Sequence, residues 1–332
     1  MDRETRRFRG LLPALIGILV AVFFLSLAWG RYPRPGFAAI GDLLDQPLSR
    51  SIVLNLRMPR AVMAILLGTA LAAAGTVLQT VLGNPLVEPG LLGVSQGAAF
   101  GAALAILLGA GAAWPVPLSA AVFGLAGLAM SWALARRIRY GGGILRLVLA
   151  GVVVSALFSS GLGVLKSLAD PRSQLPEITF WLMGGLASAD WGMVARTAPV
   201  VLVVSAAAVA LRWRINLLSL DDRAAFALGT NPGRERLLLV VLAVVAVAAV
   251  TAAAGIISWV GLLVPHLSRK AVGADTARAL PTAMAIGALF VLVCDVAARS
   301  ALAGEIPLGL LTSLAGALLF AVLMTRSEKV RR

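Results

Sequence analysis

The sequence predicts an all-α polytopic membrane protein with ten transmembrane helices and both termini in the cytoplasm. Its 332 residues are 60% hydrophobic and only 13% charged, whereas soluble domains are about half apolar and about a quarter charged. The apolar residues also fall into runs close to the roughly 20 residues that a helix needs to cross a bilayer. Since no water-soluble core could hide so much apolar surface, the solvent of this chain is lipid.

Ten such runs follow one another along the chain, and each is predicted to be a transmembrane helix. They cover residues 11–29, 61–82, 92–112, 118–135, 146–166, 193–211, 237–255, 257–268, 281–301 and 308–325. The first run is longer than the apolar part of a signal peptide and has no small-residue cleavage site after it, so we expect a retained helix. Between the seventh and eighth runs the chain must reverse at Gly255, and Pro265 predicts that the eighth helix is short or broken.

The cationic residues orient these helices. Twenty of the 29 Lys and Arg residues lie on the side that carries both termini, and cytoplasmic loops hold the excess of such residues. The formal net charge of +14 is therefore explained by topology and gives no reason to expect nucleic-acid binding. Arg57, Arg60 and Arg299 are exceptions, because they lie at outer helix ends. They either reach to lipid headgroups or bind something outside.

Few residues could carry chemistry. With one histidine and one cysteine, a zinc or haem site built from this chain alone is not expected. The sequence has no G-x-x-x-x-G-K-[ST] motif, so we predict no ATP hydrolysis by this chain and no enzyme activity. Asp295 is the acidic residue that lies clearly within a predicted span. It either pairs with Arg299 four residues on or serves as a proton or sodium relay in an ion-coupled secondary transporter.

The longest cytoplasmic connection includes residues 216–236. Ser219 and Asp222 have the spacing of a capping box at the start of a short helix, and Gly229 is a typical stop. The apolar residues between them would be poorly covered by the chain itself, which predicts a cytoplasmic partner. These residues are Ala224, Phe226, Ala227 and Leu228.

Small residues recur every four positions in three of the predicted helices, a pattern that lets helices approach closely in membranes. The three series are Gly93, Gly97, Gly101 and Ala105; Gly151, Ser155, Ser159 and Gly163; and Gly309, Ser313, Ala317 and Ala321. The second series also carries serines, with Ser160 beside them. Such a smooth, weakly polar face suits either a tight helix interface or the wall of a pathway for a large solute.

Several segments resemble one transporter family in consistent order from about residue 50 to residue 325. The segments are "RMPR" (57–60), "GNPLVEPGLLGVSQGAAFGA" (83–102), "AFALGTNPGRER" (225–236), "GIISWVGLLVPHLSRKAVGADTARALP" (255–281) and "DVAARSALAGEIPLGLLTSLAGALLF" (295–320). They are similar to the permease subunits of type II ABC importers, which take up iron–siderophores, haem and vitamin B12.

The resemblance implies that residues 1–332 form one permease domain in the bacterial inner membrane. Two copies would form a homodimer around a central translocation pathway. Two cytoplasmic ABC ATPase subunits would dock on the coupling segment, residues 216–236, and would bind ATP and Mg, whereas this chain would bind no cofactor. A periplasmic substrate-binding protein would deliver an iron chelate or a corrinoid, which alternating access would move into the cytoplasm.

The resemblance also implies roles for individual residues. Arg57, Arg60 and Arg299 would bind glutamates of the binding protein, and the helix from Gly309 to Ala321 would contribute to the dimer centre. The pathway would be lined by Gly151, Ser155, Ser159, Ser160 and Gly163. The ATPase would contact Ser219, Asp221, Asp222, Arg223, Ala224, Phe226, Ala227, Leu228 and Gly229.

One residue departs from the family's pattern. The family usually has Phe where this chain has Trp259, in "SWVGL". We associate this variant partly with relatives that handle molybdate or tungstate. The alternative substrate is therefore an oxyanion, with the same architecture.

Overall fold

The computed structural model describes residues 3–30, 36–37, 47–109, 115–302 and 304–327. Almost all of them are helical. The helices, numbered in chain order, are α1 Arg3–Ala28, α2 Pro47–Ile52, α3 Met58–Val81, α4 Val94–Leu107, α5 Pro115–Ala135, α6 Gly143–Leu168, α7 Gln174–Met183, α8 Trp191–Ala210, α9 Arg212–Leu217, α10 Asp222–Ala227, α11 Pro232–Ala254, α12 Val260–Val272, α13 Thr276–Ser300 and α14 Leu308–Ser327. A π-helical turn, Val53–Arg57, joins α2 to α3, and a 3₁₀ turn, Pro89–Leu92, precedes α4. Two short strands, β1 Trp29–Gly30 and β2 Gly36–Phe37, pair antiparallel.

Eight helices in the described part of the chain are long and apolar enough to cross a membrane. This confirms a polytopic, mostly helical protein. Each of the ten predicted spans coincides with a helix, but α4 and α12 are short, with 14 and 13 residues. The predicted end of the third span, residues 110–112, lies outside the described residues, as do Arg31, Arg34, Lys329, Arg331 and Arg332.

The segment around Gly255 follows the prediction. Helix α11 ends at Ala254, and Gly255 adopts a φ of 72°, which a residue with a Cβ rarely adopts. Helix α12 is short, as predicted, but it continues through Pro265 to Val272. Of the two predicted outcomes, short or broken, the structure shows the first.

The chain forms two compact units. The first consists of Met1–Thr76, Gly185–Pro199 and Ile257–Arg332. In it α1 lies parallel to α13, because Glu4 pairs with Arg278 at their N-terminal ends (2.8 Å) and Arg299 bonds the carbonyl of Ser26 at their C-terminal ends (2.5 Å). Helix α3 crosses α13 at Gly68, where an added Cβ would run into the backbone of Gly287.

The second unit consists of Val77–Gly184 and Val200–Ile256. The glycine series of α4 packs directly on the backbone of α5: a Cβ at Gly97 would strike the carbonyl of Phe123, and one at Gly101 that of Ser119. The Ser119 hydroxyl donates to the Gly101 carbonyl over 2.7 Å. Close helix approach, as the small-residue series predicted, builds the core of this unit.

Candidate functional site

Three arginines that the sequence singled out meet at one end of the first unit, and with two carboxylates they form what we call the arginine cluster. Arg57 ends the π-helical turn, Arg60 lies in the first turn of α3 and Arg299 in the last turn of α13. Arg60 donates from Nε to Asp295 Oδ1 over 2.8 Å and from Nη2 to Glu305 Oε1 over 2.6 Å. The cluster therefore joins α3, α13 and the segment before α14.

The other arginines of the cluster bond the C-terminal end of α1. Arg57 Nη1 donates to the Leu27 carbonyl over 2.8 Å, and Arg299 donates to the carbonyls of Ser26 (2.5 Å) and Trp29 (2.9 Å). The last carbonyls of a helix have no partner within the helix and carry partial negative charge that favours cations. Two guanidinium groups thus cap the C-terminal end of α1.

The cluster is mostly buried. Arg57 and Arg60 are 8% and 9% exposed and Asp295 is 1% exposed, whereas the Glu305 side chain is 36% exposed. The structure therefore brings together the three arginines, as a shared role requires, but binds each of them to its own chain. An incoming carboxylate would reach Arg60 most directly by displacing Glu305.

The structure gives Asp295 the expected ion pair with Arg299 and adds a second, closer partner. Spacing along the helix pointed to Arg299, but that pair is long, with 3.6 Å between Arg299 Nε and Asp295 Oδ2. The close partner is Arg60, on another helix, at 2.8 Å. Sequence reasoning missed this pair and Glu305. The signal for Glu305 was that a carboxylate stands between the last two spans, in the outer connection that follows Arg299.

The coupling segment begins its helix later than predicted. Helix α10 starts at Asp222 with Asp221 as the N-cap residue, and the Ser219 hydroxyl donates instead to the Asn216 carbonyl over 2.7 Å. Ser219 thus closes the end of α9, and the predicted capping box at Ser219 and Asp222 is wrong. The Ser219 hydroxyl bonds a carbonyl of the preceding helix instead of an amide of the next one.

A reciprocal cap does occur, at the start of α11. Asn231 accepts from the Arg234 amide over 3.2 Å, while Glu235 accepts from the Asn231 amide over 3.2 Å. The predicted stop at Gly229 is confirmed: Gly229 has a φ of 84°. The amide of Gly229 bonds the Phe226 carbonyl, and that of Thr230 bonds the Ala225 carbonyl. These two bonds form a Schellman motif.

Helix α10 is attached on one side and bare on the other. Ala225 is fully buried, and Asp222 forms an ion pair with Arg236 of α11 (2.5 Å). Phe226 is 70% exposed and Leu228 59% exposed, and Arg223, Ala224 and Ala227 are exposed as well. A firmly held helix thus presents an apolar face that the described part of the chain leaves exposed, as the sequence predicted.

The predicted pathway residues on α6 separate into two groups. Gly151 is buried, and a Cβ there would strike the Leu91 carbonyl, so Gly151 packs inside its unit and does not line an open wall. Ser159, Ser160 and Gly163 are exposed and Ser155 is half-buried. A Cβ at Gly163 would meet open space. Of the predicted pathway residues, those from Ser155 onward are therefore accessible.

Trp259 has unusual backbone geometry. Among the described residues it is the one non-glycine residue with positive φ, at 73°, and it precedes α12 directly. Its ring lies edge-on to Phe320 of α14, with centroids 6.0 Å apart, and the backbone of Gly316 leaves the room for it. In the same described part of the chain, no group of three or more His, Cys, Asp or Glu side chains could hold a metal ion.

Comparison with known proteins gives consistent matches over almost the whole chain. The FecCD transport family matches residues 18–326. The molybdate import system permease protein MolB of Haemophilus influenzae is 38% identical over 94% of both chains. The hemin transport system permease protein HmuU of Yersinia pestis is 37% identical over 84% of this chain and 85% of its own. A solved inward-facing structure of a metal-chelate type ABC transporter superposes with a TM-score of 0.89 at 37% identity, covering 96% of this chain and 99% of that one.

Proposed function

Because the chain belongs to the FecCD transport family and is a multi-pass protein of the bacterial inner membrane, we propose that it is the permease of an ATP-driven importer. Its cargo would be an iron chelate, such as a siderophore or haem complex, or a corrinoid. A periplasmic binding protein delivers the cargo, and alternating access moves it to the cytoplasm. Relatives that carry hemin and a solved metal-chelate type transporter support this cargo class.

The bare face of α10 carries the proposal. A 70% exposed Phe226 beside a 59% exposed Leu228, in a polar connection between two spans, has the character of an interface hot spot. Its partner is a cytoplasmic ATPase, one for each of two permease copies. The ATPase supplies the ATP and Mg chemistry, for which this sequence has no P-loop. The firm attachment of α10 through Asp222 and Arg236 (2.5 Å) would transmit a movement of the ATPase to α11.

The arginine cluster would receive the binding protein. In this proposal a glutamate of that protein takes the place of Glu305 on Arg60, while Arg57 and Arg299 hold the end of α1 in position. The exchange replaces one carboxylate by another and leaves the ion pair with Asp295 in place, so the buried guanidinium group of Arg60 keeps both counter-charges. Docking would thereby loosen the bond between α3 and the segment before α14.

In the proposed topology the chain crosses the membrane ten times and has both termini in the cytoplasm. The helices α4 and α12 are the two short transmembrane helices. The parallel course of α1 and α13 supports this topology, because its first and ninth helices cross in the same direction. Two copies would meet around a central pathway, with α14 at the centre. The exposed leucines at four-residue spacing on α14 suit that role; they are Leu310, Leu314 and Leu318.

Molybdate or tungstate is the second candidate cargo. The observation that favours it is the 38% identity to MolB over 94% of both chains, together with Trp259 in place of the usual Phe. An ion-coupled mechanism through Asp295 is less well supported, since Asp295 already neutralises Arg60 at 2.8 Å and lies near Arg299. A carboxylate held between two guanidinium groups is a poor proton relay.

The test is ATP-dependent uptake into proteoliposomes. The permease is reconstituted with the ATPase and the binding protein encoded beside it, and haem, a ferric siderophore, cobalamin and molybdate are offered in turn. Uptake of a chelate or of cobalamin that requires both partners and ATP supports the proposal, and uptake of molybdate alone selects the second candidate. Uptake driven by an ion gradient without ATP would overturn both.

A further inference from the structure

The second unit contains a cavity of about 630 Å³ beside the coupling segment, and the proposed transport cycle assigns no ligand to it. Its wall is formed by the end of α5, the start of α6, the start of α11 and the residues just before α10. Trp132, Leu147 and Val240 contribute apolar surface, and Arg136, Arg146 and Arg236 contribute guanidinium groups. A volume of several hundred Å³ is in the usual range of small-molecule sites.

The charged side chains of the cavity wall differ in how far they are already bonded to other groups of the protein. Arg236 is neutralised by Asp222 over 2.5 Å. Arg146 donates from Nε to the Gly141 carbonyl over 2.7 Å, which leaves its two terminal nitrogens for a ligand. Arg136 is exposed, and its guanidinium group forms no ion pair with the part of the chain that the structure describes. Asp221 is the remaining acidic group in the wall, so the uncommitted charge is positive.

The position of the cavity relative to the membrane indicates which kind of ligand it binds. Helices α5, α6 and α11 are all among the candidate membrane spans, and the three arginines lie at those ends of the spans that the cation distribution assigns to the cytoplasm. The headgroups of the inner leaflet lie at this level, where Trp side chains are also enriched. Below the arginines the wall becomes apolar, which suits an acyl chain and gives a soluble anion nothing to bind.

We propose that this cavity binds an anionic glycerophospholipid of the inner leaflet by its phosphate group. Arg136 and Arg146 hold the phosphate through charge-assisted hydrogen bonds, Trp132 lies against the glycerol region, and the first part of an acyl chain covers Leu147 and Val240. Because Asp222 in the same wall holds α10 to α11, the bound lipid lies directly beside the coupling segment. The inference rests on the proposed membrane orientation but on neither the cargo nor the ATPase.

The test measures lipid binding to the delipidated permease in detergent, without substrate or ATPase, by native mass spectrometry and by the shift of the thermal midpoint. The probes are phosphatidylglycerol, phosphatidylcholine and inorganic phosphate. The double variant Arg136→Gln/Arg146→Gln is compared with Arg137→Gln/Arg139→Gln, which removes the same charge from the connection between α5 and α6, outside the cavity wall. We expect the first pair to weaken phosphatidylglycerol binding about ten-fold or more and the second about two-fold or less.

Three results would overturn the proposal: equal losses in the two double variants, equal binding of phosphatidylcholine, or displacement of the lipid by millimolar inorganic phosphate. A fourth is that Arg136→Gln/Arg146→Gln leaves lipid binding intact and instead weakens co-purification of the ATPase. The cavity would then belong to the ATPase interface. If the transport proposal is wrong, the uptake assay fails to give the expected result, but lipid binding to the permease is still as described here.

Discussion

Arg60 Nε lies 2.8 Å from Asp295 Oδ1, and these two side chains, 235 residues apart in sequence, form a buried ion pair between α3 and α13. The geometry makes Asp295 a counter-charge for two guanidinium groups. We therefore expect the pair to stabilise the fold and to take no part in ion coupling.

Replacing Asp295 by Ala should destabilise the protein strongly. The change leaves Arg60 without its buried counter-charge, at a cost of about 3–5 kcal/mol. The paired change Arg60→Met/Asp295→Leu should recover most of that loss, since an apolar pair of similar volume is tolerated. Thermal unfolding in detergent measures both. If Asp295→Asn stays fully stable and yet loses ATP-dependent uptake, Asp295 has a transport role instead.

Replacing Glu305 by Gln should strengthen binding-protein docking. Glu305 is partly exposed and its bond to Arg60 contributes about 1 kcal/mol or less, so the fold should be unaffected. A docking glutamate would no longer have to displace a like charge, and we expect several-fold tighter binding of the binding protein to the permease in nanodiscs. Glu177→Gln, at another exposed carboxylate, is the control. Weaker or unchanged binding would show that Glu305 does not compete for Arg60.

Replacing Phe226 by Ala should uncouple the ATPase without unfolding the permease. Most of the Phe226 side chain lies outside the fold, whereas a central aromatic residue of an interface commonly contributes 2 kcal/mol or more. Co-purification with the ATPase should therefore fall by about ten-fold or more. Trp213→Ala is the matched control, because Trp213 is 68% exposed on α9 and lies outside the coupling segment. Equal losses in the two variants would argue against a specific role of α10.

Replacement by Val should destabilise the protein at Gly68 but not at Gly163. Gly68→Val forces a side chain into the backbone of Gly287, and backbone cannot move aside as a flexible side chain does. We expect a loss of about 3 kcal/mol or more, seen as a lowered thermal midpoint. Gly163→Val meets open space on α6 and should leave stability unchanged. If it nevertheless lowers uptake, the exposed face of α6 lines the pathway.

The sequence by itself determined the local features of this protein. Each of the ten predicted apolar runs coincides with a helix of the structure, since hydropathy is summed over neighbours along the chain. The bare face of α10 and the stop at Gly229 were likewise predictable, because a helix end and its uncovered residues lie within one short segment. The family resemblance rested on the same kind of local pattern and pointed to Arg57, Arg60 and Arg299 together.

Only the tertiary structure decided the partners of these residues. Spacing along one helix offered Arg299 to Asp295, but the packing of α3 on α13 brought Arg60 closer. In the same way the packing of α6 placed Gly151 inward, against Leu91. A buried charge or hydroxyl pairs with the nearest group that satisfies it, and which group is nearest depends on how distant helices pack, which periodicity along the chain does not contain.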